Sequence, residues 1–242
     1  MSSPARSVTW SVIIPAFNEA HRLPPYLAEV IAYFDGRGDA YEVIVVDDGS
    51  RDGTIDRVRE TAGEVPVRVI PLGGNEGKGA AVRHGMLAAV GAYRLFADAD
   101  GATPIAELKR LEAALGAGAD VAIGSRTAVD PGVAVVARRH RVLAGRIFNG
   151  LVARLGLPDV GDSQCGFKAF TARAAEALFS GVRTRGFGFD VELLMLARRH
   201  GFRIAEVAVN WIDKPGSKVG VLKTGPGMLW EIVRARVRMA GR

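Results

Sequence analysis

The run Val43-Ile44-Val45-Val46-Asp47-Asp48-Gly49-Ser50 (43–50, VIVVDDGS) determines how the rest of the chain is interpreted. Four consecutive β-branched residues predict a strand that is covered on both faces, as the strands of parallel sheets are. Two carboxylates, a glycine and a serine follow at once, and these residue types end a strand and lead into a helix. The run therefore predicts a strand-to-helix unit of an α/β protein, with acidic groups at the carboxyl end of the strand.

Strand and helix signals alternate on both sides of this run. Apolar segments of strand length lie at 12–14, 67–70, 93–97, 121–123 and 204–211. Helical periodicity is found at 20–34, from about 52, at 77–90, from 104, and at 138–155, 171–180, 189–200 and 228–239. Strands separated by helices of about 10–15 residues predict a mostly parallel central sheet with right-handed crossovers. The predicted class is α/β, with a Rossmann-like sheet flanked by helices.

Polar residues follow four of the predicted strands at the point where each strand ends. They are Asn18-Glu19, Asp47-Asp48, Asp98-Ala99-Asp100 and Ser125-Arg126. Ligands of open parallel sheets bind beyond the carboxyl ends of the strands. We therefore expect these clusters to gather on one edge of the sheet and to form the functional site.

Asp98-Ala99-Asp100, directly after the strand at 93–97, is the candidate metal site. Two carboxylates with one residue between them can reach a common Mg²⁺ or Mn²⁺, which takes one or two carboxylates together with phosphate oxygens of a substrate. The cation would neutralise the charge that develops on a departing nucleoside diphosphate. Surface D-x-D pairs are frequent, and the position after a buried strand is what favours the metal role here.

Two other strand ends are candidates for a nucleoside pocket. Asp47 and Asp48 can accept hydrogen bonds from a base or ribose, or they can belong to a turn in which Ser50 and Asp52 cap the next helix. The segment Pro15-Ala16-Phe17-Asn18-Glu19 can wall a base pocket or lead into a helix.

A glycine-rich stretch at 73–79 (GGNEGKG) precedes a predicted helix. Its backbone N–H groups and Lys78 can approach a phosphate. It is not a P-loop, because Gly79 follows Lys78 where that motif has Ser or Thr. The alternative is a flexible loop.

Composition disfavours several other classes of protein. The four histidines, His21, His84, His140 and His200, show no metal spacing, which argues against zinc. Aromatic residues make up 7% of the chain and form no stacking platform, so nucleic-acid binding is disfavoured. Cys165 is the only cysteine, so no internal disulfide forms and a reducing compartment, the cytoplasm, is expected.

The charge of the 242-residue chain is concentrated at its end. Residues 214–242 hold seven of the 32 basic and one of the 26 acidic residues, so the remaining 25 basic and 25 acidic residues cancel and the net +6 lies in this segment. We therefore expect a catalytic domain at 8–213 and a basic segment at 214–242. Lipid headgroups, nucleic acid or an acidic protein could bind such a segment, or it could be a solvated end that serves only solubility.

The predicted helix at 228–239 gives this basic segment two faces. One carries Leu229, Trp230, Ile232, Val233 and Val237 and is interrupted by Arg236; the other carries Arg234 and Arg238, and Arg242 follows the helix on that side. The helix either lies on a membrane or packs on the domain. No leader and no run of about 18 apolar residues is found, so peripheral attachment at the cytoplasmic face is expected.

Eight motifs in order resemble those of the inverting GT-A glycosyltransferases. They are VIIPAFNE (12–19), VVDDGS (45–50), NEGKG (75–79), FADADGAT (96–103), GSR (124–126), DSQCGFKAF (162–170), GFDVELL (188–194) and PGSK (215–218). The later motifs resemble the dolichyl-phosphate (polyprenyl-phosphate) sugar synthases, and among these the dolichyl-phosphate glucosyltransferase branch. The resemblance implies a nucleotide-sugar donor such as UDP-glucose, a polyprenyl phosphate acceptor and a β-linked product.

The resemblance also implies roles for individual residues. A nucleotide-sugar set is formed by Pro15, Ala16, Phe17, Glu19, Asp47, Asp48, Lys78, Asp98, Ala99, Asp100, Lys214 and Lys218. Within it Asp98 and Asp100 hold the metal, and Lys214 and Lys218 close over the diphosphate. Arg126, Arg138 and Arg139 bind the acceptor phosphate.

The chain departs from the mannosyl branch of this family after its D-x-D motif. That branch has Leu-Gln, with the glutamine as a metal ligand, where this chain has Gly101 and Ala102. A third protein ligand is therefore not identified, and a mannosyl donor is disfavoured. The alternatives are a GDP-mannose-dependent enzyme, a transferase with a soluble acceptor, and a binding module without catalysis.

A phosphate acceptor needs no general base, because a phosphomonoester is already anionic near pH 7. The enzyme then has to orient the acceptor oxygen and stabilise the leaving diphosphate. Asp190, where other GT-A enzymes keep an acid near the acceptor, is the third catalytic candidate besides Asp98 and Asp100. It is expected to orient Arg or Lys groups, or alternatively to be a helix N-cap.

Overall fold

A seven-stranded sheet forms the centre of the molecule. The computed structural model describes residues 8–136, 139–154, 157, 159–214 and 221–240. The strands are β1 (Trp10–Ala16), β2 (Tyr41–Asp47), β3 (Val67–Pro71), β4 (Tyr93–Ala97), β5 (Val121–Ser125), β6 (Val135–Val136), β7 (Phe167–Thr171), β8 (Ile204–Ala208) and β9 (Trp211–Ile212). Strands β6 and β9 pair as a separate two-stranded sheet, which we call the small sheet.

Eight helices connect these strands or follow them within the described residues. They are α1 (Leu23–Arg37), α2 (Thr54–Ala62), α3 (Lys78–Ala88), α4 (Leu108–Gly116), α5 (Arg139–Arg154), α6 (Ala172–Gly181), α7 (Phe189–Arg199) and α8 (Val221–Ala240). A 3₁₀ turn at Ile105–Glu107 precedes α4.

The strand order is β3-β2-β1-β4-β7-β5-β8, and every strand except β7 runs in the same direction. This confirms the predicted α/β class with a mostly parallel sheet. Both faces of the sheet are covered. On one face Ile13 packs with α3, α6 and α7, and on the other Val12 and Ile14 pack with α1 and α4. Burial on both faces explains the continuous apolar runs.

The second half of the chain differs from the prediction in two places. Strand β7 lies antiparallel between β4 and β5, although no strand was predicted there. The predicted strand at 204–211 is wrong in extent, because β8 ends at Ala208 and β9 belongs to the small sheet. Asn210 marks the break, and its side chain contacts Glu107 and the N–H of Ala134.

Helix α8 packs on the domain through Met228, Ile232 and Ala235, all of which are buried. Trp230 and Val237 point outward and are 64% and 67% exposed. The prediction of a single apolar face is therefore wrong. Successive residues of a helix lie about 100° apart, so the apolar residues divide into an inner and an outer stripe. None of the described helices has the length and apolar character required to cross a bilayer.

The ends of β1, β2 and β4 lie side by side. Ala16 pairs with Asp47 at the last position of β1 and β2, and Ile13 pairs with Phe96 one residue before the end of β4. The acidic residues that follow these strands therefore share one edge of the sheet, as predicted.

Candidate active site

Asp98 lies at the centre of this edge and contacts two other segments. Its backbone N–H donates to the carbonyl of Gly166 at 2.9 Å, and its Oδ1 lies 2.7 Å from Nζ of Lys78. A β-carbon at Gly166 would overlap the Asp98 carboxylate. Only glycine leaves room at position 166 for the carboxylate in this orientation.

Asp100 lies beside Asp98 in a partly buried position. Its Oδ1 accepts the N–H of Ala102 at 3.1 Å, and its Oδ2 lies 3.6 Å from NH1 of Arg22. Burial, and then the negative charge of Asp98, raise the pKa of Asp100 above its ordinary value. The negative charges of the two carboxylates thus repel each other.

Arg22 connects Asp100 to the end of β1. Its guanidinium also donates in bidentate fashion to Glu19, from Nε to Oε2 at 2.7 Å and from NH2 to Oε1 at 2.6 Å. Glu19 is in turn fixed by its backbone N–H, which donates to the hydroxyl of Thr54. The candidate nucleoside residue Glu19 and the candidate metal ligand Asp100 are therefore joined by one cation.

Lys78 begins α3 on the other side of Asp98. Its ammonium group lies 5.1 Å from the ring centre of Phe96 and 5.8 Å from that of Phe187. Burial alone would lower the pKa of Lys78, but attraction to Asp98 and Asp190 outweighs it and the pKa is raised. Lys78 is therefore a positively charged group at the edge where Asp98 lies.

A buried ion pair lies behind Lys78. The ammonium group of Lys168 in β7 donates to Oδ1 of Asp190 at 2.5 Å and to the carbonyl of Cys165 at 2.5 Å. Burial raises the pKa of Asp190, while the charges of Lys168 and Lys78 partly offset this effect. Gly188 is the N-cap of α7, so the interpretation of Asp190 as an N-cap is wrong.

Together these groups form a row, which we call the charge row. In order it consists of Lys168, Asp190, Lys78, Asp98, Asp100, Arg22 and Glu19. Positive and negative charges alternate along it except at one place, where Asp98 and Asp100 are neighbours. A cation between them would restore the alternation, which is the electrostatic condition for a metal site.

The donor atoms at this place suit Mg²⁺ or Mn²⁺, since both are carboxylate oxygens. Within the described part of the chain no group of three or more His, Cys, Asp or Glu side chains is arranged to hold a metal. Asp98 and Asp100 would therefore hold it with oxygens of a substrate or water. Gly101 has a φ of 61° and packs against the ring of Tyr26, so a larger residue is disfavoured there.

The segments after β1 and β2 interlock into one surface. Oδ2 of Asp47 accepts the N–H of Ser50, whereas Oδ1 of Asp47 is buried without a hydrogen-bond partner in the described structure. The hydroxyl of Ser50 accepts the N–H of Asn18 at 2.8 Å, and Asn18 has a positive φ of 53°. A buried carboxylate oxygen in need of a donor suits a nucleobase N–H.

The other candidates of this surface lie in β1 and near it. Pro15 and Ala16 are the last two residues of β1, and Phe17 follows them. Ala99, which lies between Asp98 and Asp100 in the sequence, is buried in the apolar cluster on the α1 side of the sheet.

Asp48 supports the glycine-rich stretch. Its Oδ1 and Oδ2 accept the N–H groups of Glu76 and Gly77 at 2.6 and 3.0 Å. The stretch is thereby fixed just before Lys78, and both carboxylate oxygens of Asp48 are engaged by the protein.

Arg126 is held in place by a buried carboxylate. Its Nε and NH2 each lie 2.7 Å from an oxygen of Asp162, and its guanidinium lies 5.5 Å from the ring centre of Trp211. Attraction to Arg126 and hydrogen bonds from it outweigh burial, which alone would raise the pKa of Asp162, and the pKa is lowered. Among the described residues these contacts with Asp162 leave NH1 of Arg126 as the terminal nitrogen that could bind an acceptor.

The remaining phosphate-binding candidates are less defined. Lys214 is exposed, two residues after β9. Arg138 and Lys218 lie outside the described residues, and of Arg139 only its place at the start of α5 is described.

Four residues of the site were not identified from sequence, namely Arg22, Asp162, Gly166 and Lys168. The last three lie in the motif at 162–170, which resembles the family, but no spacing rule assigns their partners Arg126, Asp98 and Asp190. Arg22 follows Glu19 by three residues, a spacing at which opposite charges often pair.

Comparison with known proteins identifies relatives over nearly the whole chain. The model of glycosyl transferase family 2 matches residues 11–179. The chain is 40% identical to the dolichyl-phosphate beta-glucosyltransferase of Drosophila melanogaster, over 88% of this chain and 70% of that protein. It is 38% identical to the human protein of the same name, over 90% and 71%.

Solved structures share the fold. One is glucosyl-3-phosphoglycerate synthase from Mycobacterium tuberculosis in complex with Mn²⁺, uridine-diphosphate-glucose and phosphoglyceric acid. It superposes with a TM-score of 0.71 at 22% identity, over 97% of this chain and 80% of that chain.

The substitution Asp162→Asn is expected to destabilise the protein by about 3 kcal/mol at pH 7, because the Arg126 charge loses its buried partner. The folded-state pKa of Asp162 lies below its unfolded value, so its contribution is present above about pH 4 and is lost as the pH falls through the folded-state pKa. Urea unfolding of both proteins from pH 7 to pH 3 measures the difference. A difference that does not shrink at low pH would contradict this assignment.

Proposed function

The chain belongs to glycosyl transferase family 2, together with the dolichyl-phosphate beta-glucosyltransferases, and from this premise we propose that it transfers glucose from UDP-glucose to a polyprenyl phosphate with inversion. The observation that supports this proposal most strongly is that Asp98 and Asp100 are neighbours in the charge row, with no positive charge between them. This pair lies at the strand ends beside Lys78, where a nucleoside diphosphate would meet positive charge.

The chemistry of the edge supports UDP-glucose as the donor. The buried Oδ1 of Asp47 suits an N–H of the uracil base, and the segment 15–19 walls the same end. Asp98 and Asp100 would hold Mg²⁺ or Mn²⁺, which supplies charge neutralisation for the leaving diphosphate. The mycobacterial synthase with Mn²⁺ and uridine-diphosphate-glucose is a precedent for these ligands on the same fold.

Lys78, which lies next to Asp98, would donate a hydrogen bond to the diphosphate. In the described structure its ammonium group is 2.7 Å from Oδ1 of Asp98, so a short movement of the side chain exchanges one oxygen partner for another. The two aromatic rings beside it, Phe96 and Phe187, leave few other directions for the ammonium group.

The acceptor acts as its own nucleophile. A phosphate oxygen forms the bond to the anomeric carbon, and the bond from that carbon to the UDP oxygen breaks with its electron pair on UDP. Attack from the side opposite UDP inverts the configuration. No proton has to be removed near pH 7. Asp190 is unsuited to be a base, because it is 2% exposed and is paired with Lys168.

A lipid acceptor is supported by the surface next to Arg126. Trp211, over which Arg126 lies, belongs to the small sheet, whose Val136 and Ile212 are 59% and 47% exposed. Val129 on the connection before β6 is 97% exposed. An apolar surface beside a phosphate-binding arginine suits an isoprenoid chain better than a small soluble acceptor.

The basic segment 214–242 is proposed as the part that attaches to an anionic membrane surface, at the cytoplasmic face. Trp230 and Val237 on the outer stripe of α8 supply apolar contact, and Arg234 lies on the exposed side with them. Each basic residue near such a surface contributes about 1 kcal/mol. The free, buried Cys165 agrees with a reducing compartment.

The direct test is incubation of the protein and Mg²⁺ or Mn²⁺ with polyprenyl phosphate and either UDP-glucose or GDP-mannose, followed by analysis of the lipid fraction. Glucosyl phosphoryl polyprenol is expected from UDP-glucose only. Asp100→Asn is expected to lower the rate at least about 100-fold, because the metal loses a carboxylate. The matched control Asp56→Asn, on the exposed face of α2, leaves the rate unchanged. Transfer from GDP-mannose alone would contradict the proposed donor.

The double substitution Val136→Ser and Ile212→Ser is expected to lower kcat/KM about tenfold for an undecaprenyl phosphate, through loss of apolar contact. For ethyl phosphate, which carries no isoprenoid chain that could contact the small sheet, the expected change is less than about twofold. Val90→Ser is the control. Val90 is 67% exposed, but it lies just before β4, at the amino ends of the strands and away from the proposed site. Equal losses with both acceptors would show that the small sheet does not select the lipid.

A further inference from the structure

Helix α8 contacts the loop at residues 183–188, which we call the bridging loop. It lies between α6 and α7. Oε2 of Glu231 accepts the N–H of Gly188 at 2.8 Å, and the Glu231 side chain fills the space where Gly186 and Gly188 lack a β-carbon. The inner face of α8 therefore fixes the end of this loop.

A second contact holds the start of the bridging loop. NH2 of Arg238 lies 3.2 Å from the hydroxyl of Thr184 and 3.0 Å from Oε1 of Glu192. Oε2 of Glu192 accepts the N–H groups of Arg183 and Thr184 at 3.2 and 2.7 Å. Two turns of α8 thus hold both ends of the loop, one through Glu231 and one through Arg238.

The other side of the bridging loop contacts the start of α3. The carbonyl of Arg185 accepts the N–H of Ala80 at 3.1 Å. A β-carbon at Gly77 would lie 2.6 Å from the Arg185 carbonyl oxygen, and one at Gly79 would lie 2.6 Å from that of Thr184. These contacts flank Lys78, and the ring of Phe187 lies beside its ammonium group.

We infer that Glu231 is a positioning residue of the donor site, which acts through the bridging loop on Lys78. The inference rests on the proposed function, in which Lys78 binds the diphosphate. In the described structure Glu231 contacts Gly186 and Gly188, and it thereby fixes the loop that packs against the residues on either side of Lys78. The inner face of the C-terminal helix then belongs to the catalytic unit, while its outer stripe stays available for the proposed membrane attachment.

The inference predicts a loss of donor affinity without contact to the donor. Glu231→Ala is expected to raise the Kd of UDP-glucose, measured by calorimetry with Mn²⁺, about three- to tenfold, and to raise KM for the donor more than it lowers kcat. Glu231→Gln is expected to stay within about twofold of the unchanged protein, because its amide oxygen still accepts the Gly188 N–H. Arg238→Gln, which releases the other end of the loop, is expected to act in the same direction, and it serves if Glu231→Ala does not fold.

Arg199→Ala is the matched control. Arg199 donates to the carbonyl of Met239, so this substitution removes a contact that anchors α8 while leaving the bridging loop untouched. It is expected to lower the melting temperature but not the donor affinity. If Glu231→Ala and Arg238→Gln both leave the affinity for UDP-glucose unchanged, or if Arg199→Ala loses as much affinity as they do, the inference is wrong. The proposed function is not affected by either result. Failure of the unchanged protein to bind UDP-glucose overturns the proposed donor and the inference with it.

Discussion

Two carboxylates held next to each other, Asp98 and Asp100, are the constraint on which the rest of the site depends. Left alone they repel, and this repulsion together with burial raises the pKa of Asp100. The protein keeps the pair in place with a cation on each side, Lys78 and Arg22, and with glycines that leave room for the carboxylate of Asp98 and the turn after Asp100. In the proposed function a third cation and a diphosphate would lower the energy of this arrangement, so donor binding would also balance the charge.

The fold supplies the rigidity that the arrangement needs. Parallel strands bring three acidic segments to one edge, and the antiparallel β7 inserts Lys168 beneath them. Lys168 is fully buried, and its pairing with Asp190 places a fixed charge behind Lys78. Asp162 holds Arg126, the proposed ligand of the acceptor phosphate, in one orientation. The proposed transfer would depend on this preorganised charge rather than on a proton-transferring residue.

Local patterns predicted the strands and the edge, and long-range pairing accounts for what they missed. The runs at 43–50 and 93–100 carry both a strand and its acidic end, so the edge follows from sequence alone. Strand β7 was not predicted because a buried lysine interrupts its apolar pattern, and the partner that neutralises it lies 22 residues away. A long-range contact also explains why the sequence predicts one apolar face for α8 where the structure has two stripes. Glu231 faces inward because it binds the N–H of Gly188, which lies 43 residues earlier in the chain. Arg138 and Lys218, whose roles the family resemblance implies, lie outside the described residues.

In the proposed function Asp98 and Asp100 hold a divalent cation together with the donor diphosphate. Electron paramagnetic resonance of free Mn²⁺, titrated with protein in the presence and absence of UDP, tests this proposal most directly. We expect one bound Mn²⁺ per chain, with a Kd that is lower by about tenfold or more when UDP is present. This binding is expected to be lost in Asp98→Asn and in Asp100→Asn. Equal Mn²⁺ binding by the unchanged protein and the two variants would contradict the proposal.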